Sequence, residues 1–256
     1  MKVTIQETSE AMAGAAASRA ADELRHCIEA KGKATFLAAT GQSQFKFLDA
    51  LTQESGIDWS KTTMYHLDEY VGLPESHPAS FRRYLKERLI DRVAPGTVHL
   101  IDGNAEDAEA ECGRLGAMLE EDGIDVAFVG IGEKGHLAFN DPPADFENRD
   151  LFTVVDLTPD CRAQQVHEGW FDAVEEVPRK AITITIAGIL KAGAIICTVP
   201  EARKASAVKC ALSGPITPSC PASVLREHPN VYLFLDKDAA ALLDPAWVKE
   251  HQARSG

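Results

Sequence analysis

Two adjacent carboxylates, Asp68 and Glu69, directly follow the apolar run TTMYHL (62–67), which is typical of a β-strand. A carboxylate at the end of a strand can act as a general base. Because successive side chains of a strand point to opposite faces, the two carboxylates cannot both face one ligand, and we expect one of them to be the base. A pair of solvated loop charges is the alternative interpretation.

A glycine-rich loop carries a second candidate for proton transfer. The segment FVGIGEKGH (128–136) contains Lys134 and His136, and Asp141 follows a short distance later. Histidine titrates near neutral pH, and a nearby carboxylate would fix its tautomer and favour its cationic form. A histidine with only a structural role is the alternative.

The same loop has the G-x-G-x-x-G spacing of a dinucleotide-binding turn, with glycines at positions 130, 132 and 135. That motif requires a helix to begin at its last glycines, since the pyrophosphate binds at the helix N-terminus. Here Pro142 and Pro143 follow closely, and proline stops a helix. We therefore interpret the glycines as part of a loop at a strand end, and we expect no nicotinamide cofactor.

The turn Thr40-Gly41-Gln42-Ser43 has the features of a phosphate-binding loop. It follows the predicted strand ATFLAA (34–39) and precedes a predicted helix. Glycine lets the backbone approach a ligand, and the first N–H groups of the helix, with the two hydroxyls, can bind an anion. An ordinary turn in which Ser43 caps the helix is the alternative.

Lys204 is a candidate partner for such an anion. It lies in the first turn of the predicted helix EARKASAVKCAL, where the helix dipole disfavours a cation. A lysine at that point is either solvated or held by an anion, and a phosphate is one such anion. Arg162 and His167 lie on another predicted helical stretch and can add positive charge.

Composition restricts the class of partner. The chain has 26 Lys plus Arg against 39 Asp plus Glu, and the resulting formal charge of −13 opposes a general interaction with a nucleic-acid backbone. We therefore expect no nucleic-acid partner. The candidate metal ligands occur one per loop, without His-x-x-x-His or comparable spacing, so we expect no metal site.

The elements that must position these residues alternate between β and α. Short apolar runs predict strands, and amphipathic segments between them predict crossover helices, a pattern typical of an α/β fold with a mainly parallel sheet. The predicted strands are 34–39, 62–67, 97–101, 124–129, 181–186, 194–199 and 231–236. No linker or repeat divides the chain, so we expect one domain over residues 1–256. Ligands bind beyond the carboxyl ends of strands in such sheets, which is where the candidate residues lie.

Cysteine usage and the N-terminal segment indicate the compartment. Six cysteines are scattered without C-x-x-C pairs, which favours a reduced, cytoplasmic chain. The alanine-rich segment near the N-terminus is interrupted by charges and predicts an amphipathic helix, not a signal sequence. No run reaches the ~18 to 20 apolar residues that span a bilayer, so we expect no membrane association.

Taken in order, five segments resemble the glucosamine-6-phosphate deaminase (isomerase) family along nearly the whole chain. They are ATGQS, HLDEYVGLPESHPASFRRYL, GIGEKGHLAFNDP, VPRKAITITI and EARKASAVKCAL. The wider superfamily includes 6-phosphogluconolactonases, which share the G-H loop but typically continue it as A-S-L-F-P and have D-E-R where this chain has Asp68-Glu69-Tyr70. The segment Ala138-Phe139-Asn140 favours the deaminases.

The resemblance implies a three-layer α/β/α, modified Rossmann-like fold and an enzyme that acts on a phosphorylated amino sugar without a metal or nicotinamide cofactor. It implies that Asp68 moves a proton between C2 and C1 of the open-chain sugar. His136, oriented by Asp141, would help to open the sugar ring. The loop Thr40 to Ser43 and Lys204 would hold the 6-phosphate. Whether the chain forms a homo-oligomer is left open.

Three positions depart from the family pattern. Lys134 stands where the family usually has aspartate, and a cation close to His136 would lower the pKa of the imidazole. Asp141 replaces a glutamate, and His167 stands at the position of a phosphate-contacting arginine. A related sugar-phosphate isomerase, a 6-phosphogluconolactonase-like hydrolase and a non-catalytic sugar-phosphate sensor therefore remain alternatives.

Overall fold

A computed structural model of the protein describes residues 1–252. Seven strands form a sheet in which every neighbouring pair is parallel. The strands are β1 Lys2–Gln6, β2 Ala34–Ala38, β3 Thr62–His66, β5 Thr97–His99, β6 Val126–Val129, β9 Ala194–Val199 and β10 Val231–Asp236. Their order across the sheet is β1-β10-β9-β6-β2-β3-β5. The prediction of a mainly parallel α/β sheet is confirmed.

A second, smaller sheet is antiparallel. It consists of β4 Asp68–Tyr70, β7 Phe152–Asp156 and β8 Lys180–Ile184, in the order β4-β8-β7. The sequence predicts a strand at 181–186 but not this separate sheet, and it places Asp68 directly after the strand 62–67. The alternative, that Asp68 and Glu69 are solvated loop charges, is wrong, because both are buried and Asp68 pairs with Thr183 across the β4–β8 ladder, which fixes the backbone of the candidate base.

Nine α-helices accompany the sheets within the part of the chain that the structure describes. They are α1 Ser9–Lys31, α2 Phe45–Leu51, α3 Phe81–Leu85, α4 Asp91–Val93, α5 Ala108–Asp122, α6 Pro159–His167, α7 Ile186–Leu190, α8 Ala205–Ser213 and α9 Pro245–Gln252. A π-helical turn, Lys86–Ile90, joins α3 to α4. None of the helices within residues 1–252 is long and apolar enough to cross a membrane.

Both faces of the large sheet are covered. Along β2, Phe36 packs with the cluster that contains the buried alanines of α1, whereas Leu37 packs with the cluster on the opposite face that contains residues of α5 and α8. Strands buried on both faces are typical of parallel sheets between two helical layers. The three-layer α/β/α arrangement is therefore confirmed.

The helix α1 forms where the sequence predicts an amphipathic helix. The Thr8 side chain accepts a hydrogen bond from the N–H of Ala11 at 3.1 Å, and Gly32, with φ of 78°, ends the helix in the left-handed conformation that glycine tolerates. The buried side chains are mostly alanine, so the helix lies close against the strands.

The four strands β9, β6, β2 and β3 are consecutive neighbours in the sheet. Because they are parallel, their carboxyl ends meet at one edge, and the loops that follow them lie together. The candidate residues of the sequence follow these four strands, except for Arg162 and His167, which follow β7 of the smaller sheet. The prediction that four strand ends converge is thus confirmed by the topology.

Candidate active site

A cleft of about 670 Å³, open to solvent, lies at the carboxyl edge of these four strands. Every segment that follows them contributes to its lining: Thr40, Gly41, Gln42 and Ser43 after β2, Asp68 after β3, Gly130, Gly132 and His136 after β6, and Arg203 and Lys204 after β9. The structure thus brings together the predicted base, the predicted histidine and, of the predicted phosphate-binding residues, the turn Thr40–Ser43 and Lys204.

Asp68 is buried at the wall of the cleft, with 6% of its surface exposed. Its Oδ1 atom is buried and accepts no hydrogen bond from any group within residues 1–252. Burial, and secondly the neighbouring charge of Glu69, raises the pKa of Asp68 to about 8. The ionised carboxylate is therefore a much stronger base than an ordinary aspartate.

Glu69 points away from the cleft and has a structural role. Its carboxylate accepts hydrogen bonds from the N–H groups of Tyr70 at 2.9 Å, Phe81 at 3.3 Å and Arg82 at 2.8 Å, and from the Ser80 hydroxyl at 3.0 Å. These contacts tie β4 to the first turn of α3. Only one of the two adjacent carboxylates lines the cleft, as the alternation of side chains predicts.

His136 lies beside Asp141. Its Nδ1 atom is 3.4 Å from Asp141 Oδ1, and Asp141 Oδ2 accepts a hydrogen bond from the Thr158 hydroxyl at 2.8 Å. Burial lowers the pKa of His136; Asp141 opposes this shift, and Lys204 adds to it. Asp141 thus favours the cationic imidazole, as expected from the sequence, but burial outweighs its effect, and His136 is neutral at neutral pH.

The glycines of the loop after β6 permit close packing. A Cβ atom on Gly132 would lie 1.9 Å from Nε2 of His136, and a Cβ atom on Gly130 would lie 2.9 Å from the Ser43 hydroxyl oxygen. Residues 130–151 contain no helix, so no helix N-terminus is available for a pyrophosphate. The glycines let the loop approach the imidazole and the Thr40–Ser43 turn.

Lys134 does not line the cleft. Its ammonium group pairs with Asp160, and 55% of the lysine side chain is exposed. The lysine that lowers the pKa of His136 is Lys204. The structure thus does not bring Lys134 together with the other predicted catalytic residues.

The turn after β2, Thr40–Ser43, is fixed by a hydrogen bond to the neighbouring strand β9. Gly41 precedes a 3₁₀ turn, Gln42–Gln44, and no side chain caps either this turn or α2, so Ser43 is not a helix cap. The buried Gln44 side chain donates a hydrogen bond to the Thr198 hydroxyl at 2.9 Å, which ties the turn to β9. Ser43 lines the cleft, and its hydroxyl oxygen accepts a hydrogen bond from the Gln44 side chain at 3.4 Å.

Lys204 is 5% exposed and lies in a 3₁₀ turn, Ala202–Lys204, just before α8. Among residues 1–252, no carboxylate lies within ion-pair distance of its ammonium group. Burial lowers the pKa of Lys204, and Glu168 opposes that shift. A buried cation without a paired anion, facing a cleft, is suited to bind an anionic ligand.

Arg162 and His167 do not line the cleft. The guanidinium of Arg162 donates hydrogen bonds to the backbone oxygens of Val174 and Val177, the latter at 3.1 Å, and His167 is exposed at the end of α6. The charged residues that do line the cleft, and that the sequence reasoning missed, are Glu168 and Arg203. Each is adjacent in sequence to a residue that was singled out.

Known proteins match the chain over nearly its whole length. The family model described as glucosamine-6-phosphate isomerases/6-phosphogluconolactonase matches residues 7–233. Glucosamine-6-phosphate deaminase of Halothermothrix orenii is 37% identical over 250 residues, which are 95% of this chain and 100% of the relative. That of Bacillus cytotoxicus is 34% identical over 252 residues, which are 98% of this chain and 93% of the relative.

Solved structures match as well. A monomeric glucosamine-6-phosphate deaminase superposes with a TM-score of 0.87 at 31% identity, covering 94% of this chain and 100% of that one. A 6-phosphogluconolactonase from Shewanella baltica superposes with a TM-score of 0.76 at 22% identity, covering 92% of this chain and 97% of that one. The second similarity concerns the fold alone.

Proposed function

The chain belongs to the family of glucosamine-6-phosphate isomerases and 6-phosphogluconolactonases, and from this premise we propose that it converts glucosamine 6-phosphate and water to fructose 6-phosphate and ammonia. One observation carries the proposal. The buried, unpaired Asp68 oxygen lies in the same cleft as a neutral histidine and a buried, unpaired lysine. A base, a proton shuttle and a phosphate-binding cation are the groups that this reaction requires.

Ring opening is assigned to His136. Neutral imidazole has one nitrogen that donates and one that accepts, so it can take the proton of the C1 hydroxyl and return a proton to the ring oxygen. Asp141, 3.4 Å from Nδ1, favours the tautomer with a proton on that nitrogen, which leaves Nε2 as the acceptor. The lowered pKa keeps the imidazole neutral and able to accept.

Proton transfer along the carbon chain is assigned to Asp68. In the open-chain sugar, C2 lies next to the aldehyde, so its proton is weakly acidic and a positioned carboxylate can remove it, typically with a ~10²- to 10⁴-fold rate gain. As C2 loses its proton, O1 takes a proton from the ammonium group of the substrate, which gives an enolamine. Return of the C2 proton from Asp68 to C1 then yields a protonated imine at C2. Water adds to the imine, ammonia leaves, and the ketone of fructose 6-phosphate is formed.

The 6-phosphate is assigned to the turn Thr40–Ser43 and to Lys204. The hydroxyls of Thr40 and Ser43 and the backbone of Gly41 line the cleft together with the lysine. Phosphate binding at a distance from C1 and C2 supplies binding energy that orients the reacting carbons. This assignment also explains how a chain of charge −13 attracts an anion, because the positive charge is local.

Release of ammonia together with fructose 6-phosphate tests the proposal. Purified protein is incubated with glucosamine 6-phosphate, and both products are measured for the wild type and for Asp68→Asn. We expect equimolar products from the wild type and a loss of ~10²-fold or more in the variant. A wild type that binds the sugar phosphate but forms neither product would identify a sensor and contradict the proposed activity.

A further inference from the structure

The guanidinium of Arg203 connects the loops that form the cleft. It donates hydrogen bonds to Gln42 Oε1 at 3.0 Å, to Glu133 Oε1 at 3.1 Å and to Glu168 Oε1 at 3.5 Å. These partners belong to the turn after β2, the loop after β6 and the end of α6. The side chain is 27% exposed, so it lies at the cleft wall and is still accessible.

An unusual turn delivers Arg203 and Lys204 side by side. Glu201 has a φ of 79°, which non-glycine residues rarely adopt, and its N–H donates a hydrogen bond to Asp236 Oδ2 at 2.9 Å. The buried Asp236 carboxylate thereby holds the turn that directs the two consecutive cations into the cleft.

The carboxylates around Arg203 occupy positions that a bound phosphate could take at its guanidinium. Arg203 lowers the pKa of Lys204, whereas Glu168, Glu133 and Glu201 raise it, so the carboxylates compensate two cations that repel each other. A sugar phosphate brings negative charge to the same place. The planar guanidinium binds carboxylate and phosphate oxygens with the same geometry, so a phosphate can take over hydrogen bonds that Glu168 and Glu133 accept.

We propose that Arg203 is a second cationic ligand of the substrate phosphate, beside Lys204, and that Glu168 competes with the phosphate for its guanidinium. The proposal rests on the proposed function for the identity of the phosphate bearer. It assigns to Arg203 the selection of phosphorylated over unphosphorylated sugars. Gln42, which accepts from Arg203 and donates to the backbone oxygen of Glu168 at 2.9 Å, holds the guanidinium at the turn.

Two substitutions with opposite expected effects test this role. Inorganic phosphate is titrated calorimetrically into the wild type, Arg203→Gln and Glu168→Gln. We expect Arg203→Gln to weaken phosphate binding about tenfold or more, since a charge-assisted hydrogen bond is lost. We expect Glu168→Gln to tighten binding, because the competing negative charge is removed while the shape is kept.

A structural role for Arg203 predicts a different pattern. If Arg203 only ties the loops together, Glu168→Gln weakens one of its contacts and does not tighten phosphate binding, while the contacts to Gln42, Glu133 and Glu201 remain. That result, or unchanged binding by Arg203→Gln, overturns the proposal. Arg92→Gln is the matched control, because Arg92 also pairs with a carboxylate, that of Asp49, but lies outside the cleft. We expect it to bind phosphate like the wild type.

Turnover separates this proposal from the proposed function. For glucosamine 6-phosphate, we expect Arg203→Gln to raise KM by a larger factor than it lowers kcat. Arg203→Lys keeps the charge but loses the planar guanidinium, so we expect its KM to lie between those of the wild type and Arg203→Gln. If the wild type turns over no glucosamine 6-phosphate, the proposed function fails, while the calorimetric comparison still decides the role of Arg203. Equal thermal unfolding midpoints exclude misfolding as the cause of weaker binding.

Discussion

His136 Nδ1 lies 3.4 Å from Asp141 Oδ1, and the other oxygen of that carboxylate is held at 2.8 Å by the Thr158 hydroxyl. Asp141 does not line the cleft, so it acts on the reaction through the imidazole. Thr158 also caps α6, which makes the orientation of the carboxylate part of the fold. We therefore propose that Asp141 is a positioning residue.

Asp141→Asn is expected to lower kcat while leaving substrate binding nearly unchanged. The amide keeps the shape but loses the charge that fixes the imidazole tautomer, so we expect a fall in kcat on the order of tenfold or more, smaller than that of His136→Gln. Steady-state kinetics of both variants provide the measurement. Equal losses in KM and kcat would indicate instead that Asp141 supports the cleft as a whole.

The pH dependence of kcat/KM is expected to reflect Asp68. The pKa of this carboxyl is raised to about 8, and only the ionised form is a base, so kcat/KM rises with pH and levels off above about 8. At pH 7 roughly a tenth of the molecules carry the ionised form. A profile that is already flat above pH 5 would show that Asp68 is not the group that titrates.

The stability of the protein is expected to fall as Asp68 ionises. Its pKa in the folded chain lies above its ordinary value of 3.8, so this contribution to stability is fully present below about pH 4 and is lost as the pH rises through about 8. Relative to Asp68→Asn, the wild type loses up to about 1.4 kcal/mol of unfolding free energy per pH unit in that window. Urea denaturation at pH 5 and pH 8 measures the difference.

Glu69→Gln is the matched control for that experiment, since it makes the same change one residue later. Glu69 accepts four hydrogen bonds, and an amide nitrogen would face N–H donors. We expect this variant to lose about 1–3 kcal/mol of unfolding free energy at both pH values. Replacing the carboxylate by an amide is thus expected to raise the unfolding free energy at position 68 at pH 8 and to lower it at position 69. Changes of the same sign would contradict the roles given to the two carboxylates.

Gly132→Ala is expected to reduce activity by displacing His136. The added Cβ would lie 1.9 Å from Nε2, so the imidazole must move, and a displacement of about 1 Å in a catalytic group costs up to ~10²-fold in rate. Gly113→Ala in α5 is the control, because no atom lies within 4 Å of its added Cβ. Assays of both variants should show the loss only for position 132; normal activity of Gly132→Ala would contradict the packing argument.

Much of the fold is predictable from the sequence because parallel strands buried on both faces leave a simple signal. Runs such as ATFLAA and AIICTV are apolar except for one buried threonine each, and their carboxyl ends must share an edge once the strands pair in parallel. The alternation rule also assigns the cleft to one carboxylate of the pair. That it is Asp68 rests on the resemblance and on the lining of the cleft.

Features that depend on tertiary contacts are not predictable in this way. The strand β4 has three residues, too few to show a period, and it forms only because β8 pairs with it. The sequence suggests Arg162 and His167 as further sources of positive charge, whereas the fold brings Arg203 to the cleft from a different loop. Lys134 lies in the same glycine-rich loop as His136, yet it pairs with Asp160 at the surface.

Hydrogen exchange at C2 of the substrate tests most directly whether Asp68 moves the proton. Glucosamine 6-phosphate is incubated with protein in deuterated water, and NMR follows loss of the C2 hydrogen and deuterium at C1 of fructose 6-phosphate. We predict that the wild type consumes the C2 hydrogen and forms fructose 6-phosphate, with deuterium at C1 in proportion to the exchange of the Asp68 proton with solvent before it returns. Asp68→Asn is predicted to do neither while still binding the sugar phosphate. Loss of the C2 hydrogen at the wild-type rate in Asp68→Asn would contradict the assignment of the base.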